Sequence, residues 1–409
     1  MNRLLTALLS AALWVPGTAA AQSWPQETPS FADGRITLGG ECTITASPDD
    51  EGRFNYTDYE RDALQLVRVS LTAAVRPIDR VTFVTELRAE GDTAGGEWSA
   101  TPFALYVRVR PWRDRPFDIQ AGRIPPVYGV AGRRAYANDN VLIGYPLIWQ
   151  YLTMLRPDAV PATADELIYA RNAGWQSSYT VGAGDYQRGV PLATAFRYDT
   201  GVEARIGEER DRFSVAAAVT AGTLSSPGTG SRSGGPQFST RVATRPTIGL
   251  VMGASYADGD FLSRAAEDDL PPTARGKRYG QRSWGLDAEY SRGYWLVRAE
   301  GIAVRWTLPA LADPKITRPL RSAGISLEGR YRFAPGLTLG ARVDRLTFSD
   351  LTGRYATLPW DAPVTRIEGG LSWAIVRHVT ARVSVQHNHR DRGRVQTSTL
   401  PAVQVSLWF

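Results

Sequence analysis

His378, His387 and His389 are the three imidazoles that the 409-residue chain has for proton transfer or metal binding. Hydrolysis would require a nucleophile or an activated water beside a histidine and a carboxylate. No recognisable Ser-His-Asn or Asp-His arrangement surrounds these residues, and His378 sits beside a turn signal, where a solvated structural role fits. His387 and His389, two apart on one strand face, could supply two metal ligands near an outer rim, but a third ligand cluster is missing. The sequence therefore assigns no catalytic residue, no metal site and no cofactor. A hydrolase built on a barrel stays open as an alternative, which loss of lipid or peptide hydrolysis in His387→Ala would support.

A larger set could act on solutes through charge. Arg68, Arg88, Arg108, Arg110, Arg298, Arg330, Arg342 and Arg382 fall on the polar positions of alternating segments, as do Glu86 and Glu328. The same parity selects Glu41, Glu90, Asp287, Glu289, Glu300, Asp344 and Glu368, so the two signs nearly cancel. A second charged group, Arg133, Arg134, Asp139, Asp158, Asp165 and Glu166, lies in the longest interruption of the pattern, from about Pro125 to Pro191. That stretch also holds Tyr136, Leu142, Ile143, Tyr145, Leu147, Trp149 and Tyr151, an apolar content that argues for packing over disorder. Acidic side chains there, set across a basic wall, would create a transverse field favouring polar over apolar solutes.

Such residues need strands to position them. Val67, Val69, Leu71, Ala73 and Val75 alternate with Arg68, Ser70, Thr72, Ala74 and Arg76, so one face suits hydrocarbon and the other is mostly polar. Phe103, Leu105, Val107 and Val109 alternate in the same way with Ala104, Tyr106, Arg108 and Arg110, and Leu337, Leu339, Ala341 and Val343 with Thr338, Gly340, Arg342 and Asp344. Short turns are expected near 77–79, 112–115, 208–212, 245–246, 292–293, 334–336 and 376–377, with longer polar loops between them. Segments from Arg35 to the C-terminal Phe409 add up to about sixteen strands, within a range of about 14 to 18. The fold class is all-β: a transmembrane antiparallel barrel with both termini on the side of the short turns. Trp112, Tyr294, Trp295, Tyr331, Phe333 and Trp373 would form an interfacial girdle there.

Composition agrees with this organisation. Arg3 precedes an apolar run from Leu4 to Val15, and Ala19 and Ala21 suit a signal peptidase, so residues 1–21 read as a cleaved secretory signal and 22–409 as the barrel. The run is too short for a spanning helix, which takes roughly 20 residues. One cysteine, Cys42, allows no intramolecular disulfide and lies too far from the signal for a lipid anchor. A net charge of +6 with both signs interspersed does not point to nucleic acid.

Val403, Val405, Leu407 and Phe409 alternate with Gln404, Ser406 and Trp408, which resembles the C-terminal signature of Gram-negative outer-membrane barrels. The resemblance implies that Phe409 is an assembly signal read by the barrel assembly machinery. Gly122, Arg123, Ile124, Pro125, Pro126, Val127, Tyr128 and Gly129 resemble the exit from the fifth strand in the outer-membrane porins, including the phosphate-selective O/P family. That likeness implies that 125–191 is the third external loop, folded inward to constrict the pore, and that the barrel is a homotrimer passing small hydrophilic solutes. Phosphate selectivity would call for a lysine-rich constriction, whereas Lys277 and Lys315 both lie outside the long loop. A slight anion preference is expected, and arginine-rich outer loops would meet outer-membrane lipid and lipopolysaccharide phosphates. A structural barrel plugged by its own loop is the other alternative.

Overall fold

A computed structural model of the protein describes residues 28–57, 61–93, 95, 98–112, 114–130, 135–194, 197–207, 211–228 and 235–409. The expected signal, 1–21, lies outside the described residues, as do Arg133 and Arg134.

The alternating segments form long antiparallel strands: β1 (Ile36–Ala46), β2 (Leu66–Ile78), β3 (Val81–Asp92), β4 (Ser99–Val109), β5 (Phe117–Ile124), β6 (Asp199–Ile206), β7 (Phe213–Thr220), β8 (Gln237–Thr247), β9 (Leu250–Asp260), β10 (Gly280–Arg292), β11 (Trp295–Trp306), β12 (Leu320–Ala334), β13 (Leu337–Phe348), β14 (Val364–Val376), β15 (Val379–Arg390) and β16 (Thr397–Trp408). Each pairs with its neighbours in sequence, and β1 pairs with β16 from Glu41↔Trp408 to Ala46↔Val403. The sheet is thus a closed barrel of sixteen strands, the number expected from the sequence. Closure satisfies every edge, the condition for placing a sheet in hydrocarbon.

The burial pattern is inverted relative to a water-soluble protein. Along β13, Arg342 and Asp344 are 1% and 0% exposed, while Leu339 and Val343 are 49% and 47% exposed. Leu71, Leu105, Leu286, Ile325 and Ile367 likewise point outward on other strands. A sandwich would bury this apolar face. Here it forms the outer band, as the dyad pattern requires.

Two local expectations are corrected. Phe103 belongs to the inner set, 1% exposed, and not to the outward row of Leu105, Val107 and Val109. The pairing of β3 with β4 skips it, passing from Glu86↔Ala104 to Leu87↔Pro102. Pro102 has no N–H for a regular ladder, and the bulge turns both Phe103 and Ala104 inward. The turn expected at 245–246 falls at 248–249, because β8 carries Pro246 within a register shift between Thr244 and Thr247. Among the described residues the turns at 79–80, 293–294, 335–336 and 377–378 fall within two residues of the expected positions, and residues 208–210 of the turn expected at 208–212 lie outside the described residues. At 377–378, His378 takes the left-handed conformation (φ 69°) and its ring packs edge-on to Trp408 at 5.9 Å.

The opposite rim carries the long connections. The largest runs from Pro125 to Tyr198 and contains two short helices, α1 (Leu147–Gln150) and α2 (Ala164–Tyr169). It extends beyond the expected limit at Pro191 because Leu192, Ala193 and Tyr198 are buried by packing. Side chains of this connection and of other outer loops, among them Trp149, Leu167, Phe261, Leu270, Ile316 and Trp360, join Trp306 and Phe348 in one apolar cluster. Trp360 stacks edge-on to Trp306 and Phe348 at 5.7 and 4.8 Å.

Candidate functional site: the charged inner wall

Strand parity sends the polar side chains inward, and the wall organises them into ion pairs. Arg342 is held by Asp344 at 3.2 Å and Glu328 at 3.7 Å, and by a short bond to Glu368. Glu328 also receives Arg330 at 2.8 Å, while Arg298 binds Glu289 at 2.6 Å. Across the barrel, Arg68 pairs with Glu90 at 2.6 Å and Arg88 with Glu86 at 2.9 Å. The guanidinium of Arg88 lies 3.3 Å from the Phe103 ring centroid, a contact that the β4 bulge creates. Arg382 donates to Gln404 at 3.0 Å and to Ser406 at 2.8 Å, and Arg108 reaches the Tyr106 ring at 6.0 Å. Arg110 lies just past β4, where its N–H bonds the Arg80 carbonyl at 2.8 Å. Arg68, Arg88 and Arg342 thereby each face a carboxylate, which offsets the cost of holding a charge in a low dielectric.

The 125–198 connection is tied to this wall at many points. Tyr128 hydroxyl meets Ser283 Oγ at 2.6 Å, Gly129 N–H donates to Ser255 Oγ at 2.9 Å and Val130 N–H to Glu300 Oε1 at 3.2 Å. Trp149 Nε1 donates to the other oxygen of Glu300 at 2.8 Å. Gly129 adopts φ +53°, and a Cβ there would sit 2.7 Å from Glu300 Oε1, so this docking requires glycine. On the other side, Arg68 donates to Tyr145 Oη at 2.7 Å, Arg366 to the Tyr145 carbonyl at 3.2 Å and Gln386 to the Ile143 carbonyl at 3.1 Å.

Four charged residues of this connection, Asp139, Asp158, Asp165 and Glu166, lie among the described residues. Asp139 meets the wall through its carbonyl, which accepts from Arg298 at 3.1 Å and Arg330 at 2.6 Å. Asp158 pairs with Arg156 of the same connection at 2.8 Å, and Asp165 accepts the Arg354 N–H of another outer loop at 2.8 Å. Thr163 caps α2, its Oγ1 accepting from Glu166 N at 3.2 Å, and the Glu166 carboxylate reaches back to accept from Ala162 N, just before the cap, at 2.6 Å. Arg68, Arg88, Arg298, Arg330 and Arg342 have carboxylates of the wall, while Asp165 and Glu166 accept N–H groups of the loops around α2.

Outside the spanning strands, Asp361 is fully buried and accepts N–H groups from Ala362 (2.7 Å), Asn172 (3.1 Å) and Met154 (3.1 Å), joining two outer loops. Burial raises its carboxyl to about 6 despite those bonds. In the loop after β1, burial and the neighbouring Asp50 push Asp62 up to about 7.

Sequence parity passed over Arg366, Arg205 and Arg241. Arg366 shares the parity of Glu368 and could have been found with it. His387 and His389 are exposed and bond across the strand pair to Thr399 and Thr397, at 2.9 and 3.2 Å. Among the described residues no group of three potential metal ligands occurs.

A cavity of about 280 Å³ lies beside the wall of β6 to β10 and is bounded by Pro125 to Val130. No protein-family model and no curated protein sequence matches the chain. Solved structures do. OmpF of Salmonella typhi, in its complex with daunomycin, aligns with a TM-score of 0.55 at 12% identity, over 91% of this chain and 97% of that one. An anion-selective porin from Comamonas acidovorans gives 0.53 at 10% identity, over 91% and 98%. OmpT expressed in the outer membrane of Vibrio cholerae gives 0.53 at 9% identity, over 94% and 100%. The chain has the fold of the outer-membrane porins.

Proposed function

We propose that the protein is a non-enzymatic channel of a Gram-negative outer membrane, passing small hydrophilic solutes down their gradients. The observation that carries this reading is a closed barrel with an apolar exterior and an ion-paired interior that still leaves a cavity of about 280 Å³ against its wall. A purely structural barrel has no need to bury so many charges, each of which is costly to desolvate. The 125–198 connection narrows the passage, and its hydrogen bonds to Ser255, Ser283, Glu300 and Gln386 fix it in place.

A plugged barrel is the second reading, favoured by the apolar cluster that the outer loops build. Planar-bilayer recording of the protein from Gln22 onward, with and without residues 130–170, separates the two. Stepwise currents that grow on deletion are expected for a channel narrowed by this connection. Current only after deletion would establish the plug, and a folded protein silent in both forms would overturn the channel.

A further inference from the structure

The interior is filled unevenly around its circumference. On β12 to β15 the inward residues Ser326, Arg342, Glu368 and Ser384 are 1%, 1%, 1% and 3% exposed. The backbone of the 125–198 connection is bonded to side chains on β1, β2, β9, β11, β12, β14 and β15. On the inner faces of β6, β7 and β8 burial is incomplete toward the short-turn rim: Glu203, Ala218, Ser239 and Ala243 are buried, whereas Arg205, Ser214, Ala216, Arg241 and Arg245 on the same strands keep partial exposure. They line the cavity, whose boundary reaches Gly207 and Asp211 at the short-turn rim and Tyr198 above.

We infer that the solute route runs along the β6–β8 wall, between it and the Pro125–Val130 segment, and that the Arg241–Asp287 pair sets its charge preference. This rests on the channel reading. Arg241 on β8 and Asp287 on β10 meet at 2.6 Å, reaching across β9. They can do so because the residue between them is Gly253, where a Cβ would strike both Asp287 Oδ2 and Arg241 Nη2. The pair therefore lies over bare backbone at the cavity wall, where Arg241 keeps partial exposure and Asp287 is 8% exposed behind it. The lining carries Arg205, Arg241 and Arg245 against Asp211, Asp287 and Glu289, a balanced set. Balanced fixed charges in a narrow aqueous passage favour compact solutes that carry both signs, or neutral polar ones, over ions of one sign.

Cysteine accessibility tests the route in the full barrel. On a Cys42→Ser background, Ser214→Cys and Ala216→Cys line the proposed path, whereas Ser326→Cys and Ser384→Cys face the filled wall. Three of the changes are near-isosteric Ser→Cys substitutions, and Ala216→Cys adds one sulfur at a partly exposed position facing the cavity, so folding is preserved. A water-soluble cationic methanethiosulfonate is expected to label the first two on the order of a hundredfold faster than the second two, because access governs thiol reactivity. It should lower single-channel current only in the first pair. Equal or reversed labelling, or current untouched by label at Ser214 and Ala216, would overturn the route while leaving the channel standing. A labelled path in a protein that passes no ion would overturn both. For the charge pair, Asp287→Asn is expected to move the reversal potential in a salt gradient toward anions and Arg241→Gln toward cations. Shifts of the same sign, or none, would remove the pair from the selectivity of the route.

Discussion

At the level of Trp306, Phe348 and Trp360 the inside of the barrel is packed like the core of a soluble protein, whereas around Arg342 it is held by a lattice of ion pairs. The upper region excludes water and joins loops that are distant in sequence. The middle region keeps charge fixed by matching arginines such as Arg68, Arg88, Arg330 and Arg342 to carboxylates on the same wall. One strand serves both: β13 presents Arg342 and Asp344 to the lattice and then Leu346 and Phe348 to the apolar cluster. The contrast shows how one parity rule can build two environments when the residue type on the inward face changes along the strand.

Breaking the lattice should have the largest effect. Glu328→Gln strips a shared carboxylate from Arg330 and Arg342, and removing one partner of a buried pair costs about 3–5 kcal/mol. The expected outcome is a barrel that unfolds at lower temperature in detergent, followed by its mobility in an unheated denaturing gel. Trp360→Ala should cost about 3 kcal/mol or more, but locally. Its outer loops should become protease-sensitive while the strands keep their circular dichroism. If the whole barrel melts with the loops, the two regions are one cooperative unit.

Acidity offers a milder probe of the apolar region. Asp361 and Asp62 have raised carboxyl values, so the folded loops hold these protons more tightly than the unfolded chain does. Their contribution is greatest below the ordinary carboxylate range and is lost as pH rises through about 6 and about 7. The loops should be nicked faster at pH 8 than at pH 5.5, a change worth about 1–3 kcal/mol. Asp361→Asn should lessen that dependence and Asp62→Asn should lessen it more, because the Asp62 proton is held over more of the interval. The smallest effect is expected from His387→Ala, which removes an exposed cross-strand bond and should shift stability by no more than about 0.5 kcal/mol, with conductance unchanged.

The architecture was legible because side-chain alternation survives in almost every strand, and most of the wall arginines could be placed by parity alone. Parity misleads where the ladder does: at Pro102 the bulge reverses Phe103. It is also weak where both faces are small. Val215 to Val219 on β7 reads Val-Ala-Ala-Ala-Val, giving little contrast between inside and outside, so parity alone does not orient that strand. The partners of Asp158, Asp165 and Glu166 depend on how the long connection folds back on itself. Of these, only the Thr163 and Glu166 spacing carried a local signal, that of a helix cap.

The seam between β1 and β16 has a consequence for the order of folding. It is made of six residue pairs, and the Thr43 to Ser406 contact across it joins residues 363 apart. All other strand neighbours meet through hairpins or single loops, so they can zip in succession, whereas the seam must wait for the last strand to be made. High contact order of this kind slows folding without weakening the finished state. A circular permutant that links Phe409 to the segment before β1, opened instead between β3 and β4, would move the seam to a different strand pair. It should refold at a different rate to a barrel of the same stability.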